Sequence, residues 1–415
     1  MTLSEELTLR GFTNQTTYKD ITALDGEPIS FYLGVDPSAD SMTIGNLAIV
    51  MMVRHFINHG HNAFMLVGGA TGLIGDPDGK SQERELQSLE TIAHNKQAIA
   101  AQYTTLLGAN SFTMVDNYDW FKNMHYLDFL RDVGKHVPMR SMLGRDFVSS
   151  RLGEDGAGIS YAEFSYSLIQ GYDFLHLHRE HGVSLQVCGA DQWGNSIAGV
   201  DLIRRVTGAA AHIWSAPLIV NKTTGVKFGK SEAGAVWLDP AKTSPTQFYQ
   251  FWINCDDAGV ADYLKIYTLL TKEEIDGIVS EQQANPAARV AQKRLAAAVT
   301  SLVHGPANAE LAAAVTDYLT GATPLDTISD SQLEALKNEI PYIPQTVQTP
   351  ILESLVASGL ASSVSEGRRL LTGNAISVNG QKVTETSYAE AGFQTGRVLL
   401  RRGKAFKDSA IVELR

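Results

Sequence analysis

Cysteine is scarce in this chain. Cys188 and Cys255 are the only two in 415 residues, which excludes a disulfide scaffold and fits a reducing compartment. No apolar run approaches the length needed to cross a bilayer, so no membrane partner is expected. The opening MTLSEELTLRGF has no basic stretch followed by an apolar one, so a secretory leader is not expected. No Ser-His-Asp or Cys-His constellation stands out. The histidines at 176, 178 and 181, and the pair His55 and His59, have no further ligands at zinc spacing and read as surface residues. The expectation is a cytoplasmic protein with no metal held by its own side chains.

Hydrophobic content of 44% with 19% charged residues is that of a soluble globular protein long enough for two or three domains. The net charge of −11 argues against indiscriminate nucleic-acid binding, but it is unevenly spread. Residues 350–415 hold nine Lys/Arg against six Asp/Glu, a net of +3, so the preceding 349 residues carry −14. A basic module closing an acidic body points to a polyanionic partner for that module; a solvated surface with a few arginines is the alternative.

From residue 29 to about 220, short apolar strands alternate with helical stretches. Strands are expected at 29–35, 63–67, 111–115 and 184–188, and helices at 44–59, 81–107, 118–133, 161–178 and 195–206. That alternation predicts a parallel sheet with helices on its faces, with ligands beyond the carboxyl ends of the strands. Residues 244–319 read as a helical domain, and 322–350, thick with Pro, Thr, Ser and Asp, as a linker. The last unit starts at Ile351 and holds a short basic helix around Arg368-Arg369. A hairpin with an Asn379-Gly380 turn follows and carries Lys382.

The most informative stretch runs from Glu163 to Asn195. Tyr166, Gln170 and Asp173 stand at i, i+4 and i+7, one face of a helix, and an apolar strand then runs into Gly189-Ala190-Asp191-Gln192. A phenol, two amides and two carboxylates are costly to bury unless something pairs with them, and an amino acid would. Earlier, Asp36-Pro37-Ser38-Ala39-Asp40 leads into a helix near Thr43 whose N-terminus can hold phosphate. Ser38, Thr43 and Asn46 add donors there, and Gly45 leaves room for a flat base; a helix merely capped by Asp40 or Ser41 is the competing view. The glycines of Val67-Gly68-Gly69-Ala70-Thr71-Gly72 match no nucleotide fingerprint and suit a tight turn, with Asp76 available to a ligand ammonium group. Lys227-Phe228-Gly229-Lys230-Ser231, after an apolar strand expected at 216–220, can close over a polyphosphate or be a solvated basic loop.

Taken together and in order, these segments resemble the bacterial tyrosyl-tRNA synthetases, a class I family, over nearly the whole chain. The resemblance implies an α/β fold: a Rossmann-like parallel-sheet catalytic domain (1–225), then the lysine loop and a helical anticodon-side domain (226–321). The linker (322–350) and a small α+β S4-like RNA-binding domain (351–415) follow. It implies activation of L-tyrosine with ATP and Mg2+, transfer to the 3′-terminal ribose of tRNA(Tyr), and a homodimer, with residues 118–143 as a contributing surface. By the same resemblance, Tyr32 and Asp173 bind the substrate's phenolic hydroxyl, and Asp76, Tyr166 and Gln170 its ammonium group. Gln192 meets the carboxylate and α-phosphate. Asp36, Gly45, Asn46, Gly189, Asp191, Lys230 and Ser231 contact ATP, and Lys227, Lys230, Ser38 and Thr43 support the departing pyrophosphate. Arg368, Arg369 and Lys382 face RNA.

One departure from the family pattern stands out. Its His-x-Gly-His signature is here Thr43-Ile44-Gly45-Asn46. Charge-assisted hydrogen bonds exceed neutral ones by roughly 1 kcal/mol, or about fivefold in rate. A slower but working activation step is expected, more dependent on the lysine loop. The rival readings are a tryptophanyl-tRNA synthetase, opposed by Tyr32 and Asp173, and a non-catalytic RNA-binding paralogue, opposed by Lys227, Lys230, Asp191 and Gln192.

Overall fold

The computed structural model describes all residues except 78–85, 145, 154–157, 232–233, 322, 395 and 404–407. They form two compact units, one of residues 1–243 and 254–295, the other of residues 244–253 and 296–415.

The first unit is built on a six-stranded sheet of β1 (Gln15–Thr16), β2 (Ser30–Val35), β3 (Asn62–Val67), β4 (Phe112–Val115), β5 (Val183–Gly189) and β6 (His212–Ala216), in the order β1-β6-β5-β2-β3-β4. All neighbours are parallel except β1, which pairs antiparallel with β6. Phe31, Met65, Leu185 and Ile213 are completely buried, as expected for central strands covered on both faces. From β2 the chain moves outward through β3 to β4, then returns to place β5 on the other side of β2. The crevice at the carboxyl ends of β2 and β5 is therefore the switch point at which such sheets bind ligands.

The helices that serve this crevice begin and end by local rules. Ile44–Asn58 starts at Thr43 in extended backbone and stops before Gly60, at φ 87°. Tyr161–His181 opens with a capping box between Ser160 and Glu163 and closes on Gly182 at φ 65°. Its Glu163 also takes a bidentate pair from Arg151, at 2.7 and 2.9 Å.

Some expectations need correction. The helix expected over 118–133 is two helices, Tyr118–Phe121 and Tyr126–Asp132, with His125 extended at the start of the second. The strand expected at 216–220 ends at Ala216, because Pro217 has no N–H for the ladder. The helix expected from 81 begins at Leu89 behind a Ser88 cap; residues 81–85 lie outside the described residues. His55 is buried against Glu6, 3.1 Å away, and His59 lies 2.7 Å from the same carboxylate, so these histidines are structural.

In the second unit, Pro245–Ile253 and Pro306–Thr320 are helical, and a five-stranded sheet follows. It contains Ile376–Val378, Gln381–Lys382, Gly396–Arg402, Ser409–Leu414 and Tyr342–Gln345. The hairpin at Asn379-Gly380 forms as expected, with φ of 49° and 77° at the two turn residues. Alternation divides the sheet's side chains: Leu400 and Val412 pack with Ile351, Leu355 and Tyr388, while Leu399 and Ile411 pack with Leu333, Leu336 and Leu319. The 322–350 segment is thus no bare linker. Ser329 and Gln332 cap a helix, Asp330–Glu339, whose Leu333 and Leu336 cover the second face of the sheet.

Candidate functional site

A cavity of about 510 Å3 opens at the carboxyl ends of β2 and β5. Tyr32, Asp36, Ser38, Thr43, Gly45, Asn46, Asp76, Tyr166, Gln170, Asp173, Gly189, Asp191, Gln192 and Lys227 all line it. Residues spread over 196 positions of sequence are thereby brought to one place.

Its inner end is made by Tyr32 from β2 and Asp173 from the Tyr161–His181 helix, 1% and 2% exposed. The Asp173 carboxylate accepts from Asn117 Nδ2 at 3.0 Å and from Trp120 Nε1 at 2.9 Å. Asn117 also donates to Thr71 Oγ1 and accepts from the Ala70 N–H, which ties the carboxylate to the glycine-rich turn. The Tyr32 hydroxyl, by contrast, is buried without a hydrogen-bond partner, and so is Gln170 Oε1. Burial without a counter-charge pushes Asp173 well above the ordinary carboxylate range, against its hydrogen bonds from Asn117 and Trp120. Burial, and then the Asp173 and Cys188 charges, push Tyr32 up likewise.

Towards the mouth, the Tyr166 hydroxyl donates to Asp36 Oδ2 at 2.7 Å, and Gln192 Nε2 donates to Asp76 Oδ2 at 2.6 Å. Asn195 Nδ2 adds a longer bond to Asp76, at 3.4 Å. Burial and the charges of Asp36, Asp76 and Asp173 raise Tyr166 well above the ordinary phenol range. A pocket this negative attracts a cation. Among the described residues, no three His, Cys, Asp or Glu side chains converge as metal ligands.

Another part of the cavity wall is assembled from the start of the Ile44–Asn58 helix and the lysine loop. Neither Asp40 nor Ser41 caps that helix: Asp40 pairs with Lys242 at 2.6 Å, and Thr43 is the cap residue. Thr43 N–H and Oγ1 both donate to Asn46 Oδ1, each at 2.9 Å. The Thr43 hydroxyl is thus already engaged, which leaves the Asn46 NH2 as the side-chain donor of the pair. A Cβ on Gly45 would meet nothing closer than Thr43 Oγ1 at 3.5 Å, so packing within the protein does not require glycine there. Gly68 and Gly69 differ: their Cβ atoms would lie 1.9 Å from Thr71 and 2.4 Å from Asp116, so these glycines serve packing.

Gly229, at φ 100°, brings the lysine loop against this helix start, since a Cβ there would lie 2.9 Å from Ile44 Cγ1. Phe228 anchors the loop by stacking on Tyr263, with centroids 4.2 Å apart. Lys227 Nζ lies 3.7 Å from Asp191 Oδ2. Lys230 and Ser231 form a short strand, and their side chains lie outside the described residues. In the second unit, Arg368 and Arg369 line a shallow cavity with Ser365 and Thr372, and Lys382 is exposed on its strand.

Sequence reasoning missed Asn117, Trp120, Thr71 and Asn195. They act through Asp173 and Asp76 across 46 to 119 positions, and no spacing announces such bonds.

Similarity to known proteins extends over nearly the whole chain. The profile of tRNA synthetases class I (W and Y) matches residues 24–320, and that of the tyrosine–tRNA ligase SYY-like C-terminal domain matches residues 332–406. The chain is 41% identical to tyrosine–tRNA ligase 1 of Enterococcus faecalis, covering 97% of this chain and 98% of that protein. It is 42% identical to tyrosine–tRNA ligase 2 of Bacillus cereus, over the full length of both. Among solved structures, a C-terminally truncated mitochondrial tyrosyl-tRNA synthetase of Aspergillus nidulans superposes with a TM-score of 0.69. It is 29% identical and covers 77% of this chain and 94% of that one.

Proposed function

Because the chain belongs to the class I tRNA synthetases of the tryptophan and tyrosine group, we propose a residue-level account of how it activates tyrosine and charges tRNA. The buried, partnerless Tyr32 hydroxyl beside Asp173 carries the reading, because a phenolic hydroxyl pairs with both. Asp76, Tyr166 and Gln170 receive the ammonium group, and Gln192, held by Asp76, faces the carboxylate. ATP lies along Asp36, Gly45, Asn46, Gly189 and Asp191, with Ser38, Thr43, Lys227, Lys230 and Ser231 around its phosphates. Mg2+ would enter with ATP, bound largely by phosphate oxygens and water.

The chemistry needs no general base. The substrate carboxylate is already ionised and attacks the α-phosphorus; a C–O–P bond forms as the bond to pyrophosphate breaks. The protein contributes position and charge stabilisation. The terminal ribose hydroxyl of tRNA then attacks the activated carbonyl, and AMP leaves. Residues 1–225 would carry activation, 226–321 the lysine loop and the anticodon side, and 351–415 RNA binding through Arg368, Arg369 and Lys382. We assign a homodimer, with exposed Tyr126, Leu127, Met139 and Leu143 in its contact surface.

Amino-acid-dependent ATP–pyrophosphate exchange tests the reading. Exchange with tyrosine, far weaker exchange with phenylalanine and none with tryptophan, is expected. Exchange with tryptophan overturns the assignment of Tyr32 and Asp173. No exchange at all from folded protein marks a dead site and leaves an RNA-binding protein.

The neutral signature gives a second expectation. Changing Thr43→His and Asn46→His together accelerates tyrosyl-adenylate formation in single-turnover experiments by about fivefold or more. Both must change, because either alone leaves the other residue of the Thr43–Asn46 pair without its partner. Losing that cap costs about 1 kcal/mol of stability. A slower double variant would show that the histidines contribute nothing here.

A further inference from the structure

The carboxylate that reads the substrate hydroxyl is itself held by a ring, and that ring is held by another. Trp120 Nε1 donates to Asp173 Oδ1 at 2.9 Å. Trp120 is only half-buried, in a helix of four residues, Tyr118–Phe121, so its own backbone gives it little support. The face of its indole is covered by the imidazole of His176, with centroids 4.3 Å apart and planes inclined by 23°. His176 lies three residues after Asp173 on the same 21-residue helix. That helix therefore carries both the carboxylate and the ring that steadies its donor. Tyr172, one turn earlier, tilts towards the same imidazole at 6.2 Å and reaches Phe121 at 5.4 Å.

We propose that His176 is a positioning residue for the selection of tyrosine: stacked on Trp120, it keeps the indole N–H on Asp173 and so sets the affinity for the substrate's hydroxyl. This rests on the reading of Tyr32 and Asp173 as the hydroxyl site. Parallel stacking demands a flat ring, and an aliphatic side chain of similar volume fills the space without fixing the indole's plane. The stack uses neutral imidazole. Burial lowers the His176 pKa, Glu180 opposes that, and His181 and Arg179 reinforce it. Trp120 and Tyr172 are the rings against it.

The test is steady-state ATP–pyrophosphate exchange at pH 7.5 on the full-length protein, with tyrosine and phenylalanine as alternative substrates. His176→Ala and His176→Leu are each expected to raise KM for tyrosine about fivefold, the worth of roughly one hydrogen bond. Turnover should stay within about twofold, and KM for phenylalanine should not move, because phenylalanine makes no use of Asp173. His176→Phe, which keeps a flat ring, should restore the wild-type KM. In a Trp120→Phe background, where the bond to Asp173 is already gone, His176→Leu should add nothing. The proposal is overturned if His176→Leu leaves KM for tyrosine unchanged, or if it raises KM for both amino acids alike, as loose packing would. Asp173→Asn separates the two levels. If that variant loses selectivity while His176→Leu keeps it, the role of His176 alone is wrong. If Asp173→Asn also keeps selectivity, the hydroxyl site itself has been misplaced and both readings fall.

Discussion

Replacing Asp173 by asparagine should lower kcat/KM for tyrosine by about two orders of magnitude in ATP–pyrophosphate exchange and leave that for phenylalanine nearly unchanged. The wild-type carboxylate accepts from Asn117 and Trp120 and has Tyr32 beside it, in a cavity end closed to water. An incoming phenol finds an acceptor there. In the variant, an amide N–H2 takes the place of one carboxylate oxygen, so a donor faces Asn117 or Trp120, or the substrate itself. Losing a hydrogen bond to a charged group, with a buried partner left unsatisfied, costs about 1.5–3 kcal/mol, or roughly 10- to 150-fold. Phenylalanine brings no hydroxyl and loses nothing, so the ratio of the two kcat/KM values reports the effect directly. The tyrosine-specific synthetases are themselves the known example of such discrimination, and its direction here follows from the same physics.

The same site has a pH signature. Asp173 titrates above the ordinary carboxylate range because it is buried. The form that accepts the substrate hydroxyl is the ionised one. As pH falls through this raised value, kcat/KM for tyrosine should fall while that for phenylalanine stays flat, and Asp173→Asn should remove the difference. A tyrosine profile unchanged by the substitution would place the hydroxyl elsewhere.

How much of this was legible in the sequence depends on the range of each interaction. Alternating apolar strands and helices, read locally, located β2, β3, β4 and β5 to within about two residues, because each is set by its own burial pattern. Tyr166, Gln170 and Asp173 were legible as one helix face for the same reason. The helix at Asp330–Glu339 was hidden by composition. Its proline- and serine-rich flanks suggested a linker, while the evidence against one, Leu333 and Leu336 packing on a sheet formed 60 to 80 residues later, is tertiary. His55 and His59 were misread because their partner Glu6 lies on the N-terminal helix, Leu3–Arg10. The hold of Asn117 and Trp120 on Asp173 had no local signal, since Asn117 stands just before, and Trp120 within, a segment expected to be one long helix and found broken at 122–125. What sequence shows poorly, in short, is the support behind a site residue.

The lysine loop should show the largest effect on the chemical step. Lys227→Ala is expected to slow tyrosyl-adenylate formation, measured by rapid quench at saturating tyrosine, by about 10²- to 10³-fold, the usual cost of removing one preorganised donor. Tyrosine binding, measured by equilibrium dialysis, should be unaffected, because Lys227 is assigned to the phosphates of ATP and Tyr32 and Asp173 to the amino acid. Stability should also hold: Lys227 is 57% exposed, and its pairing with Asp191 at 3.7 Å is a surface ion pair of little worth. That weakness suits the task, since an ammonium held tightly by Asp191 could not swing to a polyphosphate. The argument for a large effect comes from its neighbours. Thr43 and Asn46 are neutral and partly spent on each other, so the charge on the departing pyrophosphate must be met from elsewhere. Gly229 seats the loop against Ile44 and Phe228 pins it on Tyr263, so the two residues after Lys227 are already packed in place. Lys227→Arg should recover part of the rate, since it restores the charge but not the compact ammonium geometry. A loss under about threefold for Lys227→Ala would mean that the positive charge is supplied by other residues and that the neutral signature is not compensated through this loop.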